Sequence, residues 1–156
     1  MKFVHIAAAV AATTVAFAMA AGPASAATTA GSAPLAQQLT ARGGTVGADG
    51  QWVHMPDGTD VSVTPMSFSQ CPSGWVCLWQ DGNYGGRMLK WSSPGTSIAH
   101  LSDYGFNDEM SSWANRGTRL ARWWVDANYK GTSHNMPADS SSAHGGDDQA
   151  SSLKIY

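Results

Sequence analysis

The sequence has little cysteine, little basic charge and few long apolar runs, and each shortage excludes a class of protein. Only Cys71 and Cys77 occur. A structural zinc site takes about four ligands. No second Cys pair or spaced His pair follows, so the two cysteines read as a short-range disulfide of an exported protein. In the chain-entropy treatment so small a loop stabilises by roughly 2 kcal/mol. Nine Lys and Arg face eleven Asp and Glu, and no basic run gathers phosphate contacts, so nucleic acid is not an expected partner. The longest apolar run, residues 6–21, is shorter than the roughly 20 residues a bilayer core requires, so no membrane span is expected.

That apolar run follows a short basic start and precedes small residues around Ala24, Ser25 and Ala26. The pattern fits a secretory signal over residues 1–26, and the expected location is extracellular. About 130 residues then remain, enough for one ordinary domain. Residues 27–65 divide in two. The stretch to about residue 50 is rich in Ala, Thr and Gly without sustained periodicity, which predicts a flexible or pro-like segment. After it, Val61 and Val63 alternate with polar residues behind an Asp57-Gly58 turn signal, which predicts a short hairpin.

From Cys71 onward the composition changes. Six of the seven tryptophans and all four tyrosines lie here, between clusters of Gly, Asn, Asp and Ser. Aromatic runs separated by turn formers predict short strands and an all-β domain over residues 66–156. Helical patterning is interrupted throughout, save for a single turn near residues 97–105.

Two patterns repeat. Trp79, Asp81, Asn83, Tyr84 and Gly86 return as Trp124, Asp126, Asn128, Tyr129 and Gly131, each 45 positions on. The segment NDEMSS at residues 107–112 returns as DDQASS at 147–152, 40 positions on. An aromatic, four turn-prone residues, a second aromatic and a spaced glycine describe a hairpin folded back on its sheet. The rings pack, and the glycine supplies positive φ or close approach. One half has too few strands to bury an aromatic face; two halves make a sandwich with a shared core.

These residues resemble the βγ-crystallin superfamily, whose Greek keys carry this hairpin and, in calcium-binding members, an N/D-N/D-x-x-S/T-S loop. The resemblance implies a sandwich of two Greek keys, one over about residues 71–115 and the other over about 116–156. The CPSGWVC segment followed by the Trp79 hairpin is also similar to the bacterial peptidase inhibitor family that contains secreted metalloproteinase inhibitors. That likeness implies a secreted peptidase as partner.

The oxygens of NDEMSS and DDQASS are of the hard kind that calcium takes. The resemblance implies two calcium sites, with hydroxyls from Ser111 and Ser151 and backbone carbonyls from Glu109 and Gln149. It adds side-chain oxygens of Asn107, Asp108, Asp147 and Asp148, and carbonyls of Gln80 and Val125. Ser112 and Ser152 are implied to brace the folded hairpins. Few charges surround each loop, so a modest affinity of about 10⁻⁵ to 10⁻³ M is expected. Read without the resemblance, both loops are turns whose side chains cap backbone groups.

Catalysis finds no support in the pattern. The histidines at 5, 54, 100, 134 and 144 form no HExxH pair, no G-x-S-x-G elbow occurs, and the paired acids are absorbed by the loops. No catalytic residue is assigned, and a non-enzymatic monomer is expected. Arg116, Arg119 and Arg122 precede Trp123 and Trp124. They read as junction residues whose stems cover aromatic surface, with an acidic protein face or an anionic glycan as the alternative. The inhibitor known from the family braces its loop with a second disulfide that this chain lacks, so no inhibitory loop is carried over. The functional readings are a peptidase inhibitor and a calcium-stabilised extracellular structural or antimicrobial protein.

Overall fold

The computed structural model describes residues 34–156; the secretory signal read over residues 1–26 lies outside them. A short helix, α1 (Leu35–Ala41), leads into a three-stranded meander of β1 (Thr45–Val46), β2 (Trp52–His54) and β3 (Asp60–Ser62). The first Greek key follows as β4 (Val76–Asp81), β5 (Gly85–Trp91), β6 (Ser97–Ile98) and β7 (Ser112–Asn115). The second is β8 (Ala121–Asp126), β9 (Lys130–Met136), β10 (Ser140–Ser142) and β11 (Ser152–Ile155).

The pairing expresses the duplication. One sheet runs β1-β2-β3-β5-β4-β7-β10 and the other β6-β11-β8-β9. The third strand of each key crosses over: β6 pairs with β11 and β10 with β7, so each sheet needs both halves. Registers agree between the halves. Trp79 faces Ser112 as Trp124 faces Ser152, and a bulge follows each tryptophan on the hairpin side.

Strand β4 shows why its sequence reads as a nearly continuous apolar run. Val76 and Leu78 point into the core between the sheets, with Leu89, Trp91, Phe106, Trp123 and Leu153. Cys77 and Trp79 point the opposite way, into a second cluster with Met66, Cys71, Met88 and Ala114. A strand covered on both faces has no polar side to display. The Cys71–Cys77 disulfide, with an S–S distance of 2.01 Å, sits in that outer cluster.

The N-terminal part differs from the expectation of a flexible segment. From Leu35 onward it is ordered, with Leu39 at 1% exposure and Val53 and Val61 at 0%. The hairpin β2–β3 turns at Gly58, whose φ is +85°, and β3 extends the first sheet by pairing Val61 with Leu89 and Asp60 with Lys90. The buried Trp91 indole donates to Thr59 Oγ1 at 2.8 Å, Met88 N–H donates to Ser62 Oγ at 2.7 Å, and the Tyr104 hydroxyl donates to Asp57. Composition alone misses this because the segment is not self-sufficient. Burying a Val or Leu returns roughly 1.5–3 kcal/mol, whereas ordering each residue's backbone costs about 1–2 kcal/mol. Its order comes from the free edge of β5 and from a core it helps to close. Helix α1 was likewise not anticipated; the turn near residue 101 is the short 3₁₀ segment Leu101–Tyr104. Among the described residues no helix is long and apolar enough to cross a membrane.

Candidate functional site

The two folded hairpins come first, because they fix where the loops lie. In the first, Asn83, Tyr84 and Gly86 have φ of 54°, 60° and 70°; in the second, Asn128, Tyr129 and Gly131 have 58°, 60° and 70°. A tyrosine with positive φ is disfavoured by its Cβ, so other interactions must hold it there. Tyr84 packs edge-on to Trp79 at 5.3 Å and Tyr129 to Trp124 at 5.4 Å. Tyr84 N–H donates to Ser112 Oγ at 3.0 Å and Tyr129 N–H to Ser152 Oγ at 3.1 Å. Each hydroxyl in turn donates to the carbonyl of Asp81 or Asp126 at 2.7 Å. Ser112 and Ser152 thus each bond to both the tyrosine N–H and the aspartate carbonyl of a hairpin. The glycines are also required by space: a Cβ at Gly86 or Gly131 would lie 2.7 or 2.5 Å from the Asp81 or Asp126 carboxylate.

The same anchoring positions the two Asp-rich loops. Ser111 N–H donates to the carbonyl of Trp79 at 3.0 Å and Ser151 N–H to that of Trp124 at 2.9 Å. The loops then bind each other: Asp108 N–H donates to Ala150 O and Asp148 N–H to Met110 O, both at 3.0 Å. Their side chains also cross. Ser111 Oγ donates to Asp148 Oδ1 at 2.6 Å, and Ser151 Oγ to Asp108 Oδ1 at 3.1 Å. The sequence names the oxygens of each loop; the structure joins the hydroxyl of one to the carboxylate of the other. Asp108 and Asp148 reach these partners with φ of 54° and 55°, and Asp147 also has a positive φ of 41°.

The remaining candidates divide. Val125 and Gln149 line one open groove together with Asp108 and Asp148, whereas Asp147 faces a neighbouring cavity beside Gln149. Asn107 stays within its loop, donating to Asp108 Oδ2 at 2.6 Å. The Glu109 carboxylate pairs with Arg87 at 2.6 Å. Gln80 stands on β4 between Trp79 and Asp81. Among the described residues no group of three or more His, Cys, Asp or Glu side chains converges on one point, so any ion held here draws on hydroxyl and carbonyl oxygens as well as carboxylates.

Two protons are displaced from their ordinary ranges, both away from the loops. Burial, then the hydrogen bond to Asp57, raises the Tyr104 phenol well above its usual value of 10.0. Burial lowers Lys90 against the opposing pull of Asp60; its ammonium lies 3.7 Å from the Trp52 ring centroid.

Exchanged third strands, paired hairpins and crossed loops are now in view, and residues 64–136 match the family model described as peptidase inhibitor family I36. The domain is βγ-crystallin-like and similar to peptidase inhibitor family I36. The family I36 match begins just after β3, so the ordered N-terminal meander lies ahead of it. Among solved structures, the chain is similar to a beta gamma crystallin from Ciona intestinalis, with 28% identity over 53% of this chain and 100% of that one and a TM-score of 0.47. It is also similar to a betagamma-crystallin domain from Clostridium beijerinckii, with 24% identity over 52% of this chain and 95% of that one and a TM-score of 0.44. No curated protein matches the chain.

The arginines behind the second hairpin, which the sequence treats as one group, separate in space. Arg116 donates to Cys71 O and lies over Phe68, and Arg122 donates to Asn135 and lies over Trp124. These two cover aromatic rings, as the sequence reading expects. Arg119 does not.

Proposed function

We propose that this protein is a secreted inhibitor of an extracellular peptidase, built on a calcium-stabilised βγ-crystallin-like domain. The observation that carries the inhibitory reading is the match of residues 64–136 to an inhibitor family. Family and fold point to a non-enzyme, and the chemistry follows from rigidity. A loop already held in its bound shape loses little entropy on docking, so a small domain can bind tightly. Secretion is supported by the signal-like residues 1–26.

For calcium, the supporting observation is the pair of crossed contacts, Ser111 with Asp148 and Ser151 with Asp108. Each places a hydroxyl beside a carboxylate from the other loop, the kind of hard oxygens calcium takes. Glu109 and Gln149 would add carbonyls. An ion bound only by the folded chain stabilises it by about 1.4 kcal/mol at tenfold excess over its dissociation constant, and here it would tie the halves together. Calorimetry with millimolar calcium checks this: two binding events of modest affinity are expected, and no heat would remove the ion from the proposal.

Inhibition is tested by assaying secreted metallo- and serine peptidases with the purified protein. Nanomolar inhibition of at least one is the expected result. No effect across the panel at micromolar protein would leave the second reading, a structural or antimicrobial protein, which the mutual bonding of the two loops favours because it requires no partner.

A further inference from the structure

The two halves are built alike, and one cavity lies where they depart from each other. In the first half Leu78 faces Leu89 across β4 and β5. Both leucines are at 0% exposure, and β3 covers the outer edge by pairing Val61 with Leu89. Their counterparts, each 45 positions on, are Trp123 and His134, which face each other in the same register. Among the described residues no strand lies outside β9. Where the duplication loses its cover, two leucines have become two rings with polar edges.

An opening of about 210 Å³ lies here, bordered by Trp113, Trp123, His134, Asn135, Asp147 and Gln149. The exposed His134 ring lies flat on Trp123, with centroids 4.2 Å apart and planes 16° from parallel. Trp123 is 4% exposed, and its indole N–H is buried without an acceptor. Buried indoles ordinarily find one, as Trp91 does in Thr59. The Trp79 indole is also unpaired, but it is enclosed in the outer cluster. Trp113 is half-buried, and among the described residues its indole makes no hydrogen bond. Gly145 leaves that donor uncovered: a Cβ there would lie 2.8 Å from Trp113 Nε1. Asn135 gives its carbonyl oxygen to Arg122 and keeps its amide N–H groups free.

The cavity therefore offers ring faces, unpaired N–H donors and one carboxylate. A hydroxyl both donates and accepts, so a ligand carrying several can take indole and amide protons and give its own to Asp147. The C–H faces of a saturated sugar ring lie well against aromatic surface. An anionic ligand would meet Asp147 with no Lys or Arg on the cavity wall to offset it, and a purely aromatic one would leave the carboxylate and the amides unanswered. We propose that this cavity binds a neutral sugar ring of a glycan chain, with the Trp123–His134 pair as its platform and Trp113 as a donor. His134 and Gln149 also border the open groove beside Asp108 and Asp148, so the chain has room to continue past the bound ring. The site draws Trp113 from one Greek key and Trp123 from the other, and it is separate from the inhibitory reading.

The experiment titrates the purified protein with cellotetraose, maltotetraose and chitotetraose, and with a heparin-derived tetrasaccharide and indole as the competing chemistries, followed by calorimetry and tryptophan emission. The wild type is expected to bind at least one neutral tetrasaccharide with a Kd of about 1 mM or tighter. His134→Ala and Trp113→Phe should each weaken that binding about tenfold, the first by removing half of the platform and the second by removing a donor while keeping a ring. Because His134 is exposed, its replacement should leave the melting temperature in place. Neutral-sugar binding that either variant leaves unchanged, binding of the heparin fragment or indole but of no neutral sugar, or no binding of any probe at about 10 mM would each overturn the site. Peptidase inhibition is untouched by any of these results.

Discussion

Ser111 and Asp148 lie 37 positions apart yet share a hydrogen bond of 2.6 Å, and the pairing makes a sharp expectation. Ser111→Ala and Asp148→Asn should weaken the same calcium site, so the double variant loses about as much affinity as either single one. Ser111→Ala combined with Asp108→Asn should instead lower affinity at both sites, with effects that add. Calorimetric titration of the wild type, the three single variants and the two double variants distinguishes the two patterns. Tyr104 supports a second expectation. Its phenol is raised in the folded chain, chiefly by burial, so the stability it contributes is complete below its unfolded value of about 10 and is lost as pH rises above that. Alkaline titration followed by phenolate absorbance should show one tyrosine ionising late, and Tyr104→Phe should remove that late step. The residue types at the loops are legible in the sequence; which hydroxyl meets which carboxylate is not, because neither segment carries information about the other's distance.

The folded hairpin is the element most completely determined by its own residues. Two rings, a left-handed Asn-Tyr step and a glycine recur with the same φ values to within 4°, which is what identical local requirements produce. Gly131→Ala should therefore be costly. Its Cβ would approach the Asp126 carboxylate to 2.5 Å at a φ of +70°, and a loss of about 2 kcal/mol is expected from denaturant melts. The strand β9 has the same local origin as β5 but a different fate. β5 receives β3 on its outer edge, whereas β9 is the edge of its sheet. Helix α1 shows the converse: with no side-chain cap and no charge in its end turns, little in its own sequence sustains it, and Leu39 packing into the core does.

For the molecule as a whole, the exchange of β6 and β10 between sheets makes the two Greek keys mutually dependent. The N-terminal meander then covers the one edge that the exchange leaves open on the β5 side. Starting the chain at residue 64 would bare that edge, remove Leu39, Val53 and Val61 from the core, and unpair the Trp91 indole from Thr59. Such a chain should melt at least about 10 °C lower and self-associate. Scanning calorimetry with sedimentation velocity checks both; an unchanged melting temperature would mean that the segment adds nothing to the core.

Much of this protein was decided locally. The all-β character, the two hairpins, the oxygen-rich loops and the disulfide pair all follow from residues near one another in the chain, since turn chemistry, ring pairing and short-range closure need no distant partner. The ordering of residues 35–63, the crossing of Ser111 to Asp148 and Ser151 to Asp108, and the cavity shared by Trp113 and Trp123 were decided only when the sheets closed. Each depends on backbone edges and buried polar groups that exist only after both halves have packed together.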